Sequence, residues 1–241
     1  MTLPIYKIEE SGGHLIKMLI YGPPGVGKTT LATSAHEDSR SSPVLVFNIE
    51  GGLLSISNKG VDVFDYKNWS NVNDLLRFLV SDANKYKTLV VDSLSELQVK
   101  NLEQVVDTAV KGSNRRKSQD DIWQDDYGTS TNQMRRFVRA IRDLPMHVIM
   151  TCHESSLEKE GLTSTYPALT PKLRASVIGY MDIVGYMYTK EVSNNVVRRL
   201  LCQPTGNFVA KDRTPGGRLG VTMDKPTMKS ILNKITGEKD A

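Results

Sequence analysis

The sequence predicts an α/β fold in which helices flank a mostly parallel central sheet, with an antiparallel β meander near the C-terminus. Two observations predict it. Short apolar runs alternate with longer segments of helical period through most of the chain, which is typical of parallel strands joined by crossover helices. Near the C-terminus, three short strand-like runs follow one another without an intervening helix, which indicates antiparallel neighbours.

The first half of the chain supplies three predicted strands and three predicted helices. The apolar runs predict strands at 17–21, 44–49 and 88–91. The helical periods predict helices at 28–36, 71–83 and 95–110, the second of which carries an apolar stripe from Leu75 to Val80. The stretch 111–128 is polar, charged and aperiodic, so we expect a long surface loop there.

The second half begins with a predicted helix at 129–142, which Pro145 ends. A fourth strand is predicted at 147–152, and a loop at 155–166. After Pro171 we expect a short helix, followed by the meander strands and a small closing helix, at 182–188, 196–202, 207–210 and 227–235.

Length and composition favour a single domain over residues 1–241, with a core at about 16–218 and a short C-terminal helical tail at 224–241. The 39% of hydrophobic residues can fill a core that removes roughly 70–75% of the unfolded surface from water. The two cysteines, Cys152 and Cys202, have no metal-type spacing and exclude a disulfide scaffold. No apolar run approaches the roughly 20 residues of a membrane span, and the first ten residues lack a signal pattern. We therefore expect a cytoplasmic protein without a membrane partner.

The strongest motif matches G-x-x-x-x-G-K-[ST] and lies between the first predicted strand and the first predicted helix, which is the context a phosphate-binding loop needs. In such a P-loop, backbone N–H groups surround the phosphates, the lysine reaches the β- and γ-phosphates, and the hydroxyl binds Mg²⁺. The predicted nucleotide-binding residues are Gly22, Pro23, Pro24, Gly25, Val26, Gly27, Lys28, Thr29 and Thr30.

A second magnesium ligand is expected at the end of a buried strand. The run 88–91 closes on Asp92, the Walker B arrangement, which with Thr29 gives the predicted Mg²⁺ site. The alternative is that Asp92 only caps the following helix.

The residue after Asp92 is Ser93, so a glutamate base must come from elsewhere. The neighbouring predicted strand ends directly before Glu50, where a carboxylate can polarise the water that attacks the γ-phosphate. The alternative is a solvated turn glutamate.

Three further residues are candidates for phosphate contacts. His153 follows the fourth predicted strand and could sense the γ-phosphate, although a histidine at a strand end often has a structural role. Lys211 and Arg213 point the same way if their segment is extended. They could complete the site of a neighbouring subunit as an arginine finger, or simply end a solvated hairpin.

Taken in order, these motifs resemble the RecA/RadA recombinase core over about 16–218, and most closely the short phage-encoded RecA-like proteins associated with single-strand annealing. The resemblance implies a DNA-stimulated ATPase that uses ATP and Mg²⁺ and functions in homologous recombination. It implies a homo-oligomer, ring or filament, with ATP at the subunit interface. It also implies single-stranded DNA and a single-strand-binding protein as partners, in the cytoplasm of a bacterial host.

In that family, two loops touch DNA, and by position they would be 111–128 and 155–166. The first carries the candidate DNA-binding residues Lys111, Arg115, Arg116 and Lys117. The second is acidic on balance, which argues against DNA contact. Arg135, Arg139 and Arg142 share one helix face and could serve DNA or a neighbouring subunit, although a solvated face is the simpler interpretation.

Other functions fit the motifs less well. A GTPase would need D-x-x-G and N-K-x-D motifs, and the nearest candidates fail. A small-molecule or nucleotide kinase would need an arginine-rich lid. A ring-forming helicase or loader ATPase stays open, because the same core serves translocation, and so does a non-hydrolysing scaffold switched by ATP.

Overall fold

The computed structural model of the protein describes residues 15–113, 118–159, 161–193 and 195–238. The α-helices are α1 (Lys28–Thr33), α2 (Trp69–Leu79), α3 (Leu94–Lys111), α4 (Gln124–Arg142), α5 (Pro171–Tyr180) and α6 (Met228–Thr236). The strands are β1 (Lys17–Gly22), β2 (Val44–Asn48), β3 (Asp62–Asp65), β4 (Thr88–Asp92), β5 (His147–Lys159), β6 (Leu162–Pro167), β7 (Ile183–Val192), β8 (Asn195–Leu201), β9 (Lys211–Asp212) and β10 (Thr222–Asp224).

One sheet runs through the molecule in the order β10-β8-β7-β1-β5-β4-β2-β3. From β7 to β3 every neighbouring pair is parallel. The pairs β7–β8, β7–β9 and β8–β10 are antiparallel. The predicted fold class is therefore confirmed: a mostly parallel sheet with an antiparallel C-terminal part.

Helices cover both faces of this sheet because alternate side chains of the central strands point to opposite sides. On one face, Leu19 and Val91 join a buried cluster that includes residues of α2, α3, α4 and α5. On the other, Ile20 and Val90 join a cluster with residues of α1 and α6. None of the described helices is long and apolar enough to cross a membrane.

The predicted loop at 155–166 is wrong. Strand β5 continues beyond Cys152 to Lys159 and pairs antiparallel with β6 in a hairpin. Gly161, with φ of 75°, lies in the connecting turn, a conformation that glycine adopts without steric cost. The hairpin projects past the sheet and much of it is exposed, so its strands lack the apolar period by which a buried strand is predicted.

Other elements also differ from the prediction. Helix α4 begins at Gln124 rather than 129, where the Asp126 carboxylate accepts a hydrogen bond from the Trp123 N–H at 2.8 Å. The predicted strand 207–210 forms only isolated bridges at Phe208. The unpredicted strand β3 lies at the edge of the sheet, where its mixed polar sequence is tolerated.

The C-terminal helix, expected as a tail, packs on the core. The Met228 N–H donates to Ser34 Oγ at 2.8 Å, and Met228, Ile231 and Leu232 are buried against the α1 face of the sheet.

Candidate nucleotide-binding and hydrolysis site

The P-loop starts at the carboxyl end of β1, between β5 and β7. Gly22 has φ of 154°, and a Cβ atom there would lie 2.2 Å from the carbonyl oxygen of Met187 in β7. Gly25 and Gly27 have φ of 74° and 101°. Only glycine allows this close approach and these left-handed turns, which place the loop before the N-terminus of α1.

Lys28 extends along the loop from the first residue of α1. Its ammonium donates to the carbonyl oxygens of Gly22 at 2.9 Å and Pro23 at 2.8 Å. Burial lowers the pKa of Lys28, while the nearby charges of Glu50 and Asp92 oppose this shift. The ammonium is therefore placed between the phosphate loop and two carboxylates.

Thr29 and Asp92 meet as the sequence predicts. Thr29 Oγ1 donates to Asp92 Oδ2 at 2.9 Å, and the Thr151 hydroxyl donates to Oδ1 of the same carboxylate. Burial raises the pKa of Asp92, and these two hydrogen bonds oppose the rise. Sequence analysis missed Thr151; a polar residue inside the apolar run of β5 was the available signal.

This donor set suits Mg²⁺, which takes one or two protein oxygens and completes its octahedral shell with phosphate oxygens and water. Among the described residues, no group of three or more His, Cys, Asp and Glu side chains is arranged to enclose a metal. A hydroxyl and one carboxylate beside a phosphate loop are nevertheless what a nucleotide-bound magnesium ion requires.

Glu50 lies two residues beyond the end of β2, where its backbone N–H donates to the Asp92 carbonyl at 3.3 Å. Its carboxylate accepts from the Ser93 hydroxyl, and its Oε1 lies 2.8 Å from His153 Nε2. In the sheet, His153 is level with Gly22. Glu50, Asp92 and His153 thus come together at the edge that holds the P-loop.

Two serines, which sequence analysis did not identify as site residues, connect this cluster. Ser93 Oγ lies 3.2 Å from Ser95 Oγ, and Ser95 Oγ accepts from the His153 N–H at 3.0 Å. Both serines are buried. They fix the positions of Glu50 and His153 relative to the end of β4.

A cavity of about 370 Å³ continues from the P-loop along α1. Its lining includes Gly27 and Thr30 together with Met187, Arg198 and Pro226. A Cβ atom on Gly27 would lie 3.0 Å from Arg198 Nε. The cavity begins where the P-loop ends, so it can receive the nucleoside of a nucleotide whose phosphates occupy the loop.

A family model described as an AAA domain, AAA_24, matches residues 14–214. The chain belongs to this family of AAA domains. The assignment supports the predicted RecA-like P-loop ATPase, with nucleotide binding and ATP hydrolysis as the family activity. No curated protein matches the sequence.

Solved structures that are similar to this AAA domain include two archaeal proteins. A KaiC-like protein, PH0186 from Pyrococcus horikoshii OT3, has 15% identity and a TM-score of 0.43, with 77% of each chain covered. The flagellar accessory protein FlaH from Methanocaldococcus jannaschii has 12% identity and a TM-score of 0.39, with 80% of this chain and 81% of that chain covered.

Lys211 and Arg213 of the AAA domain do not reach the P-loop of their own chain. Lys211 pairs with Val184 of β7, which is level with Leu19 near the start of β1. The Lys211 ammonium donates to the carbonyl oxygens of Ile178 at 2.7 Å and Met181 at 2.6 Å. Arg213 is exposed, and its side chain makes no hydrogen bond or ion pair with any described residue.

The predicted DNA-binding residues are only partly described. Lys111 ends α3, and its ammonium pairs with the Asp107 carboxylate at 2.6 Å. Arg115, Arg116 and Lys117 lie outside the described residues. The second predicted DNA loop is the β5–β6 hairpin.

Proposed function

We propose that this AAA domain is a Mg²⁺-dependent, DNA-stimulated ATPase. In this proposal the protein assembles into oligomers with ATP at the subunit interface and binds single-stranded DNA in phage homologous recombination or strand annealing. The observation that carries the hydrolytic part is the position of Glu50, whose carboxylate is held by Ser93 and His153 beside Asp92 and the P-loop.

The binding half of the mechanism follows from the P-loop. The backbone N–H groups of Gly25 to Thr29 and the N-terminus of α1 favour the negative phosphates. Lys28 exchanges its two carbonyl partners for phosphate oxygens, which are stronger acceptors because they are charged. Magnesium, when bound, neutralises phosphate charge, and Thr29 and Asp92 are the residues that would hold it.

The hydrolytic half is assigned to Glu50. A carboxylate hydrogen-bonded at one oxygen keeps its other oxygen available to orient water and accept its proton. The contact between His153 and Glu50 would depend on whether a γ-phosphate is present, which is how His153 could sense that phosphate. Of the two predicted trans-acting cations, Arg213 is the one whose side chain has no partner among the described residues, so we assign it the finger role across the interface.

The test is ATP turnover by Glu50→Gln with and without single-stranded DNA over a salt series. General-base removal is expected to reduce turnover by about 10²–10⁴-fold, while ATP binding persists. Glu103→Gln, which changes an exposed glutamate on α3, is the matched control. DNA stimulation of the wild-type protein should fade with salt, because phosphate contacts release counterions.

Two results would count against the proposal. Normal turnover by Glu50→Gln would remove Glu50 from the mechanism. Wild-type turnover that DNA does not change would leave an ATPase without the DNA function, and a loader or scaffold would then be the better description.

A further inference from the structure

We infer that the exposed face of α4 and the first turn of α5 form a binding trough for the phosphodiester backbone of single-stranded nucleic acid. The arginine trough consists of Asn132, Arg135, Arg136, Arg139 and Lys172. The inference rests on the proposed DNA binding and assigns it to a surface other than the two loops expected from the sequence.

Two adjoining cavities define the trough. The first, of about 270 Å³, is lined by Asn132, Arg135, Arg136 and Arg139. These residues follow i, i+3, i+4 and i+7 spacing and so share one face of α4. The second is an open groove of about 1120 Å³ that shares Asn132 and Arg135 and reaches Thr170 and Lys172 at the start of α5. The trough is therefore elongated.

The three arginines of the trough have no ion-pair partner among the described residues. Within the described parts of the chain, Arg135, Arg136 and Arg139 form no ion pair, and the buried Nε of Arg135 has no hydrogen-bond partner. Arg139 Nε donates to the uncharged Tyr180 hydroxyl at 2.9 Å. By contrast, Arg142 pairs with Asp143 at 2.7 Å. Three neighbouring guanidinium groups repel one another, so an external anion would stabilise them.

The lining favours a strand backbone over a compact anion. Guanidinium groups bind phosphate oxygens through two parallel hydrogen bonds, and two adjoining cavities of about 270 and 1120 Å³ offer room for more than one phosphate. Asp125, in the larger groove, is the one acidic residue among those that line the two cavities. Tyr127, 46% exposed, lies in the larger groove and offers an aromatic face on which a base can stack.

The experiment measures fluorescence anisotropy of a labelled thymidine strand of about 30 nucleotides, long enough for several binding sites, with Mg²⁺ and ATP over a salt series. Arg136→Gln/Arg139→Gln is expected to weaken binding roughly 10-fold or more, and to reduce the slope of log K against log salt by about 1.4, which is 0.7 for each lost phosphate contact. The matched control is Arg77→Gln/Lys85→Gln, which removes two exposed cations that pair with Asp74 and Asp62.

A gain-of-function variant guards against loss of folding. Asn132→Lys adds a cation within the trough and should tighten binding and steepen the salt slope by about 0.7. Thermal unfolding of every variant accompanies the titrations. Tighter binding by Asn132→Lys and weaker binding by the double variant, both with unchanged melting temperatures, would support the trough.

Several results would overturn it. Binding by Arg136→Gln/Arg139→Gln that equals the control refutes the trough, and so does a loss of binding confined to Lys111→Gln. Capture of polyglutamate in preference to the thymidine strand would indicate an acidic protein partner instead. If Arg136→Gln/Arg139→Gln lost self-association but kept its DNA affinity, this surface would be a contact between subunits instead. ATP turnover without DNA, measured on the wild-type preparation, tests the ATPase proposal separately.

Discussion

The His153 imidazole contacts the Glu50 carboxylate across the end of β4, with His153 Nε2 and Glu50 Oε1 2.8 Å apart. The strands that carry them, β5 and β2, are not neighbours, because β4 lies between them. The contact therefore links β5, which lies beside the P-loop strand β1, to the glutamate that follows β2. The Ser93 hydroxyl also donates to the Glu50 carboxylate.

His153→Ala should slow ATP turnover more than it weakens ATP binding. A hydrogen bond to a charged group contributes about 1.5–3 kcal/mol, which corresponds to roughly 10- to 100-fold in rate if it matters only in the transition state. His153→Gln keeps a neutral donor and should recover part of the loss. Steady-state kinetics would separate the two effects; an equal loss of affinity and rate would mean that His153 acts on bound ATP in general.

Lys211→Met should destabilise the protein, whereas Arg213→Ala should not. The Lys211 ammonium binds carbonyl oxygens at the C-terminal end of α5, where a cation also favours the helix dipole. Losing it should cost about 1–3 kcal/mol of unfolding free energy, while an exposed arginine contributes within about 0.5 kcal/mol. Urea denaturation checks both; equal stability losses would contradict the structural difference between the two cations.

Mixing Lys28→Ala subunits with Arg213→Ala subunits should restore part of the ATPase activity that each variant lacks. If Arg213 acts in trans, a mixed interface can combine an intact P-loop with an intact finger, and a finger is worth about 10³–10⁵ in rate. Turnover measured over a range of mixing ratios tests this. Absence of recovery at every ratio would exclude the trans role.

Lys17 should make stability rise with pH in alkaline solution. Lys17 is buried, with its ammonium donating to the carbonyl oxygens of Leu144 and Met146. Burial lowers its pKa from 10.5 to about 8, although the charge of Asp182 opposes the shift. Between these values, the unfolded chain holds a proton that the native protein has released, so the free energy of unfolding increases with pH.

The comparison protein is Lys17→Met, in which every other group still titrates. Between about pH 7 and about pH 10, the wild-type protein should gain up to roughly 3 kcal/mol relative to this variant. Urea midpoints of both proteins at the two pH values measure the difference. Parallel pH profiles would show that Lys17 keeps its proton in the native protein.

Gly22→Ala should severely destabilise the fold, because the added methyl would lie 2.2 Å from the backbone oxygen of Met187. Overpacking typically costs about 1–3 kcal/mol and occasionally more, and a backbone oxygen this close puts Gly22→Ala at the upper end of that range. Gly128→Ala is the matched control: it lies inside α4 with nothing within 4 Å of the added atom and should stabilise by about 0.5–1 kcal/mol. Thermal denaturation distinguishes them, and similar melting temperatures would contradict the close approach of β1 and β7.

The main site residues could be predicted because parallel strands bring their carboxyl ends to one edge. Residues directly after apolar runs, such as Asp92 and Glu50, must then lie near a P-loop that follows another strand. Lys211 illustrates what the sequence could not reveal: its partners in α5 are about 30 residues away, and only the packing of β9 against β7 brings them together. Arg142 is a second example. It is expected to share a helix face with Arg135 and Arg139, but it forms an ion pair with its neighbour Asp143. Arg136 lines the trough instead.

The β5–β6 hairpin could not be predicted from the sequence for a related reason. Prediction of strands relies on one buried face, and β5 beyond Glu154 is mostly exposed, so its pairing comes from backbone hydrogen bonds to β6.

The packing of α6 matters for anyone who wishes to express a minimal version of this AAA domain. The family match ends at residue 214, yet Met223, Met228, Ile231 and Leu232 cover apolar side chains of α1 and the central strands. A protein truncated at that boundary would expose this apolar surface to solvent and would tend to aggregate in the cell. Affinity tags are safer after α6, and fragment boundaries should keep the chain through Thr236.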